Sequence, residues 1–228
     1  SGPGGRRSSG SGQAAGAGAG AAQGEGKKSS KLLDQFGRNL TKLAADGKLD
    51  PVVGRETEIE RIMQILSRRT KNNPVLVGEP GVGKTVLILE AIRKAHRLTV
   101  ARDAPPTFWR SHAERLVGRA KYLGEWQALC DQTVEWLDMS NGLLWVTDFV
   151  NLLQVGGESP EESMAAYLLP ALRRGTLRLV GEANPSELEI ARQRLPGFID
   201  CFETLRLPEM DSVRARRVLD LFAGHARN

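Results

Sequence analysis

The stretch Pro74-Val75-Leu76-Val77-Gly78-Glu79-Pro80-Gly81-Val82-Gly83-Lys84-Thr85 constrains this chain more than any other. It reads as a buried strand, a glycine-rich turn and the start of a helix. Gly78, Gly83, Lys84 and Thr85 fit the phosphate-loop pattern. Glycines let the backbone curl so that successive N–H groups face the phosphates, and the following helix adds its positive N-terminal end. Lys84 supplies a point charge, and Thr85 offers a hydroxyl to Mg²⁺. A chance glycine-rich turn is the plain alternative. An apolar strand before the loop and the apolar run Val86, Leu87, Leu89, Ile92 after it are the context the motif requires. The stretch implies a nucleoside triphosphate site, or descent from one.

A chain of 228 residues can bury a substantial core. Its net charge of +5 invites a nucleic-acid reading, but residues 1–30 hold Arg6, Arg7, Lys27 and Lys28 against Glu25. The remainder is nearly balanced, and no basic face or helix-turn-helix stands out, so nucleic acid is not the expected partner. Cys130 and Cys201 lack metal-type spacing and make no disulfide framework. No apolar run is long enough to span a membrane, and no signal peptide is visible. These features lead us to expect a cytoplasmic protein.

Residues 1–30, rich in Gly, Ser and Ala, predict a disordered linker. Leu32, Leu33, Phe36, Leu40 and Leu43 recur at helical spacing and predict a helix to about Asp46, closed by Gly47. A second helix carries Ile59, Ile62, Met63 and Leu66 on one face. The segments Leu40 to Arg55 and Ser67 to Thr85 resemble the first AAA+ module of Clp-type ATPases, ring-forming machines that thread polypeptides through a pore. The resemblance is near-verbatim over residues 32–85 and looser to about residue 220. It implies a P-loop AAA+ fold, an α/β sandwich of helix, sheet and helix layers with a mainly parallel central sheet. It also implies ATP and Mg²⁺ as cofactors, ring neighbours as partners, a polypeptide as substrate, and Val52 and Val53 beside the adenine.

Further along, Lys121-Tyr122-Leu123-Gly124 is similar to the family's substrate-gripping pore loop. An aromatic on such a loop can wedge against an extended chain; read without the resemblance, Tyr122 packs back on the domain. Leu143-Leu144-Trp145-Val146-Thr147-Asp148 reads as a buried strand ending in a carboxylate, and such an acid holds Mg²⁺ in P-loop ATPases. Family members follow it with a glutamate. Counted from the pore loop, Asp148 takes the metal position and Phe149 the glutamate position. Counted back from downstream, Thr147 and Asp148 take those positions. Neither register yields an Asp-Glu pair, and the first is preferred here.

Ser159 and Glu162 have capping-box spacing ahead of a helix Met164–Arg174, and Leu177 to Val180 predict the next strand. Asn184 sits where the family carries a sensor of the γ-phosphate; Asn-Pro is equally a turn signature. Phe198-Ile199-Asp200-Cys201-Phe202 replaces the family's Leu-Glu-Arg-Arg-Phe, so the arginine that would reach a neighbouring subunit's nucleotide is missing. Asp211 to His225 predict one amphipathic helix, the start of a helical lid truncated by the end of the chain. The expected organisation is therefore a linker over 1–30, a nucleotide-binding domain over 31–208 and the beginning of a lid over 209–228. The expected function is an ATP-binding Clp-like module with weak or no hydrolysis; an active threading ATPase is the alternative.

Overall fold

The computed structural model describes residues 33–49, 52, 54–103, 105–117 and 124–209, together with positions 211, 212, 215, 216 and 220. The strands are β1 (Gly37–Asn39), β2 (Asn73–Val77), β3 (Phe108–Ser111), β4 (Leu143–Val146), β5 (Leu179–Ala183) and β6 (Phe202–Arg206). They form one sheet in the order β1-β3-β4-β5-β2-β6. Every pairing is parallel except that of β1 with β3. Five neighbouring strands thus end on the same edge, with β2 between β5 and β6.

The helices are α1 (Leu40–Ala45), α2 (Glu56–Leu66), α3 (Lys84–Thr99), α4 (Ala113–Val117), α5 (Glu125–Met139), α6 (Met164–Arg174), α7 (Pro185–Arg194) and α8 (Pro196–Ile199). Central strands such as β2 and β4 are buried at every position, so their residues face two cores alternately. Leu76, Trp145 and Val180 pack with Ile62, Leu87 and Ile92 on the face covered by α1, α2 and α3. Val77, Val146 and Ala183 pack with Trp136, Leu168, Leu188 and Phe198 on the face covered by α5 to α8. This is the expected α/β sandwich. No described helix is long and apolar enough to cross a membrane.

Three local expectations need correction. The first predicted helix is interrupted: residues 33–36 are helical, but Gly37–Asn39 pair with β3 before α1 begins. Gly37 makes this possible, because a Cβ there would stand 2.8 Å from the Arg110 carbonyl. The strand at β4 ends at Val146, so Thr147 and Asp148 both lie beyond it. Ser159 does not cap the helix after it; α6 is capped by Ser163, whose hydroxyl accepts from the Ala166 N–H. Residues 1–32 and the greater part of the predicted lid helix lie outside the described residues.

Candidate functional site

The phosphate loop runs from the end of β2 into α3. Gly78 is buried where a Cβ would meet the Leu207 carbonyl at 2.9 Å, so the loop leaves the sheet hard against the exit of β6. Gly83, at φ +98°, caps α3 in the left-handed region that favours glycine. Glu79, Pro80 and Gly81 form the exposed crest, and Val82 packs down onto the core under α3. The Lys84 ammonium donates to the carbonyls of Gly78 and Glu79 at 2.6 and 3.0 Å. The lysine is therefore folded over the mouth of the loop.

Arg55 joins the loop to the elements beside it. This guanidinium is 3% exposed and donates to Glu58, to the Val82 carbonyl and to the Pro208 carbonyl at 3.1, 3.3 and 3.0 Å. It fixes the start of α2, the inner end of the loop at Val82 and the chain leaving β6 to one another. Val52 packs against the same core as Val82. Val53 lies outside the described residues, as do Lys121, Tyr122 and Leu123. Gly124 is described, in the left-handed region at the start of α5.

The Thr85 hydroxyl donates to Glu182 Oε2 at 2.9 Å. Glu182 is half-buried on β5, paired opposite Leu76. Burial pushes its carboxyl above the ordinary range, against the opposing pull of the Thr85 hydroxyl and of Lys84 and Arg110. Asp148, preferred from sequence as the acid beside Thr85, makes other contacts. Its Oδ1 accepts the Ala113 N–H at 2.8 Å and lies 4.0 Å from His112 Nδ1, and its Oδ2 accepts from Asn151 at 3.5 Å. Thr147, one residue nearer the strand, shares a hydrogen bond of 2.8 Å with His112 Nδ1.

Phe149 is fully buried. Its ring stacks on Phe198 at 5.3 Å and meets Phe202 edge-on at 4.8 Å. It lies against Gly181, where any Cβ would come within 2.5 Å of the ring. A residue so placed belongs to the core and faces no phosphate, which favours the register in which Thr147 and Asp148 stand at the two acidic positions. Asn184 caps α7: its Oδ1 accepts from the Glu187 N–H and the Ser186 hydroxyl, while Glu187 accepts the Asn184 N–H. Its amide oxygen is thus engaged, leaving the NH₂ as the group able to face a phosphate. Asp200 is exposed at the end of α8, and the Cys201 thiol donates to the Gly197 carbonyl at 3.5 Å.

The family described as AAA ATPase domain matches residues 51–228. The chain belongs to the AAA ATPase family, as a Clp-type first module. It is 40% identical over 183 residues to the chloroplastic chaperone protein ClpC2 of Oryza sativa subsp. japonica, covering 78% of this chain and 20% of that protein. The chloroplastic ClpC1 of Arabidopsis thaliana is 40% identical over 192 residues, covering 81% and 20%. Among solved structures, the S. cerevisiae Hsp104–ADP complex superposes with a TM-score of 0.70 at 27% identity, covering 82% of this chain and 32% of that one. A closed state of Hsp104 with ATPγS and casein gives 0.72 at 27% identity, covering 83% and 32%. The module spans about a fifth of the length of these ClpC relatives.

Two residues important to this site carried signals that the sequence reading passed over. Glu182 is a charge inside the otherwise apolar run Leu179 to Ala183, and Arg55 is a charge at the entrance of an amphipathic helix. Both are unusual in buried positions unless they are partnered.

Proposed function

We propose that this module binds ATP with Mg²⁺ within a Clp-like protein-remodelling ring and hydrolyses it weakly or not at all. The observation that carries the reading is the state of Asp148, the one carboxylate between Leu143 and Gln154, which is held by the Ala113 N–H beside a Phe149 sealed against Phe198 and Phe202. A base must reach the proton it abstracts, and a carboxylate one methylene shorter than glutamate and already engaged is poorly placed for that.

The phosphate loop supports the binding half of the proposal. Lys84 already rests on the carbonyls at the loop mouth, and the left-handed Gly81 and Gly83 open the backbone toward an anion. The donor set fits a triphosphate: successive N–H groups, an ammonium and a hydroxyl backed by a carboxylate. When bound, Mg²⁺ neutralises charge on the phosphates. Val52 and Val53 would line the base, and Asn184 would offer its NH₂ toward the terminal phosphate. Asp200 and Cys201 would give a neighbouring subunit a carboxylate and a thiol in place of the charge-stabilising arginine, whose loss costs roughly 10³–10⁵ in rate in other phosphoryl-transfer systems.

Ring neighbours and a polypeptide gripped through Lys121, Tyr122, Leu123 and Gly124 belong to the same proposal, supported by the ClpC relatives and by the casein held by Hsp104. So do the domain limits at about residues 30 and 208 and a reducing, cytoplasmic setting, which suits the free thiols Cys130 and Cys201. The carboxylate beside Thr85 favours a second reading, an active ATPase module driving polypeptide threading. Single-turnover assays with Mg-ATP separate the two. The proposal expects little or no turnover above that of the matching Lys84→Ala sample, alone or mixed with a complete Clp-type ring; stoichiometric turnover by the chain alone establishes the active module.

A further inference from the structure

We propose that Glu182, on β5, is the carboxylate that positions the metal at Thr85, a role moved one strand sideways from the end of β4. The inference rests on the nucleotide-binding reading above and names a residue of that site.

A threonine hydroxyl has one proton and two lone pairs. To give a lone pair to a cation it must direct its proton elsewhere, and a carboxylate is the strongest acceptor for it. Glu182 Oε2 accepts that proton at 2.9 Å. Such a partner orients the ligand and makes its oxygen a better donor to metal. The sheet explains how β5 supplies it. Leu76 pairs with Glu182, so the carboxylate leaves the sheet on the face of α3, two residues short of the level of Gly78. Val146, the last residue of β4, pairs with Gly181, so Thr147 follows directly beyond the strand end next to β5. At that neighbouring position the chain has a hydroxyl where an acid would be needed.

Charge points the same way. Glu182 is half-buried, yet it takes part in none of the ion pairs among the described residues. Arg110, over the Trp145 ring at 4.6 Å, and Lys84, on the loop carbonyls, act on Glu182 only through space, without forming an ion pair. A desolvated carboxylate without an ion-pair partner is costly, and a divalent cation at Thr85 would relieve it. Asp148, by contrast, has backbone and side-chain donors of its own.

The test measures metal, not turnover. Mn²⁺ replaces Mg²⁺, a non-hydrolysable ATP analogue fills the site, and free Mn²⁺ is read by electron paramagnetic resonance. A fluorescent ATP analogue in EDTA reports metal-free nucleotide affinity. Glu182→Gln should weaken Mn²⁺ binding roughly 10- to 100-fold, the range seen when outer partners of metal ligands are removed, with affinity in EDTA unchanged. Asp148→Asn should change Mn²⁺ affinity less than about twofold, as expected of a group outside that shell. Thr147→Asp placed in a Glu182→Ala chain should restore binding, because it returns a carboxylate just beyond the end of the adjacent strand. Loss in Asp148→Asn with none in Glu182→Gln overturns the proposal. Should Glu182→Gln fail to fold, the double variant decides: Mn²⁺ affinity near wild type upholds the assignment, and weak affinity in the folded double variant overturns it. Wild-type protein that binds no nucleotide in either medium overturns the phosphate-loop reading itself.

Discussion

The ends of β2 and β4 lie on the same edge of the sheet, two strands apart, and have opposite characters. At β2 the chain turns through glycines, and its polar groups face outward or one another: Lys84 on two carbonyls, Thr85 on Glu182, Arg55 across three segments. At β4 the chain turns inward, and Phe149 closes an aromatic cluster with Phe198 and Phe202. On the function proposed above, the first end holds the triphosphate, and the second, packed where polar groups would serve hydrolysis, turns it over weakly or not at all. The two ends can diverge in this way because binding and hydrolysis draw on different strand ends.

The largest expected effects come from striking each end at its centre. Phe149→Glu should destabilise the protein by more than about 4 kcal/mol, since it places an unpaired charge against the rings of Phe198 and Phe202. It should restore no hydrolysis, and a folded Phe149→Glu chain with measurable turnover would break the contrast between the two ends. Lys84→Ala should weaken ATP binding by roughly a hundredfold, the worth of a lost desolvated charge contact; unchanged affinity by calorimetry would mean the β2 end is not a phosphate site.

Smaller effects sharpen the comparison. Burial raises the carboxyl of Glu182, so the folded chain holds that proton more tightly than the unfolded chain does. Its contribution to stability is present below the ordinary carboxyl range and is lost as pH rises through the raised value. In nucleotide-free protein, thermal melts followed upward from about pH 4 should show that loss in wild type and less of it in Glu182→Gln. An identical pH profile would contradict the assignment of the strain to this group. Asn184→Ala removes the capping oxygen of α7 and should cost about 1 kcal/mol in urea unfolding. An additional loss of ATP affinity there would show that the amide serves the nucleotide as well as the helix.

Much of this was legible in the sequence, for physical reasons that differ by element. The strand–loop–helix from Asn73 to Thr99 is specified by glycine positions and a continuous apolar run, and α6 has its expected Met164–Arg174 limits, set between the Ser163 cap and the left-handed Gly175. The interruption at Gly37 was hidden because the apolar residues on either side keep helical spacing, while the strand is decided by a close approach to the Arg110 carbonyl. The register at Thr147 and Asp148 stayed open because alternation gives no information about where a fully buried strand ends. What separates the two readings is the packing of Phe149 against Phe198 and Phe202, contacts about fifty residues apart in sequence. Glu182 escaped for a related reason: its partner Thr85 is 97 residues away, across a strand pairing that no local pattern reveals.

The central claim is binding without effective hydrolysis, and the most direct measurement is the identity of the nucleotide held after incubation with Mg-ATP. The purified chain would be incubated, stripped of free nucleotide and denatured, and the released nucleotide separated by chromatography. The account predicts ATP, retained as ATP by wild type and absent from Lys84→Ala. Stoichiometric ADP from the chain alone would contradict it, and would mean that the end of β4 still supplies a working base.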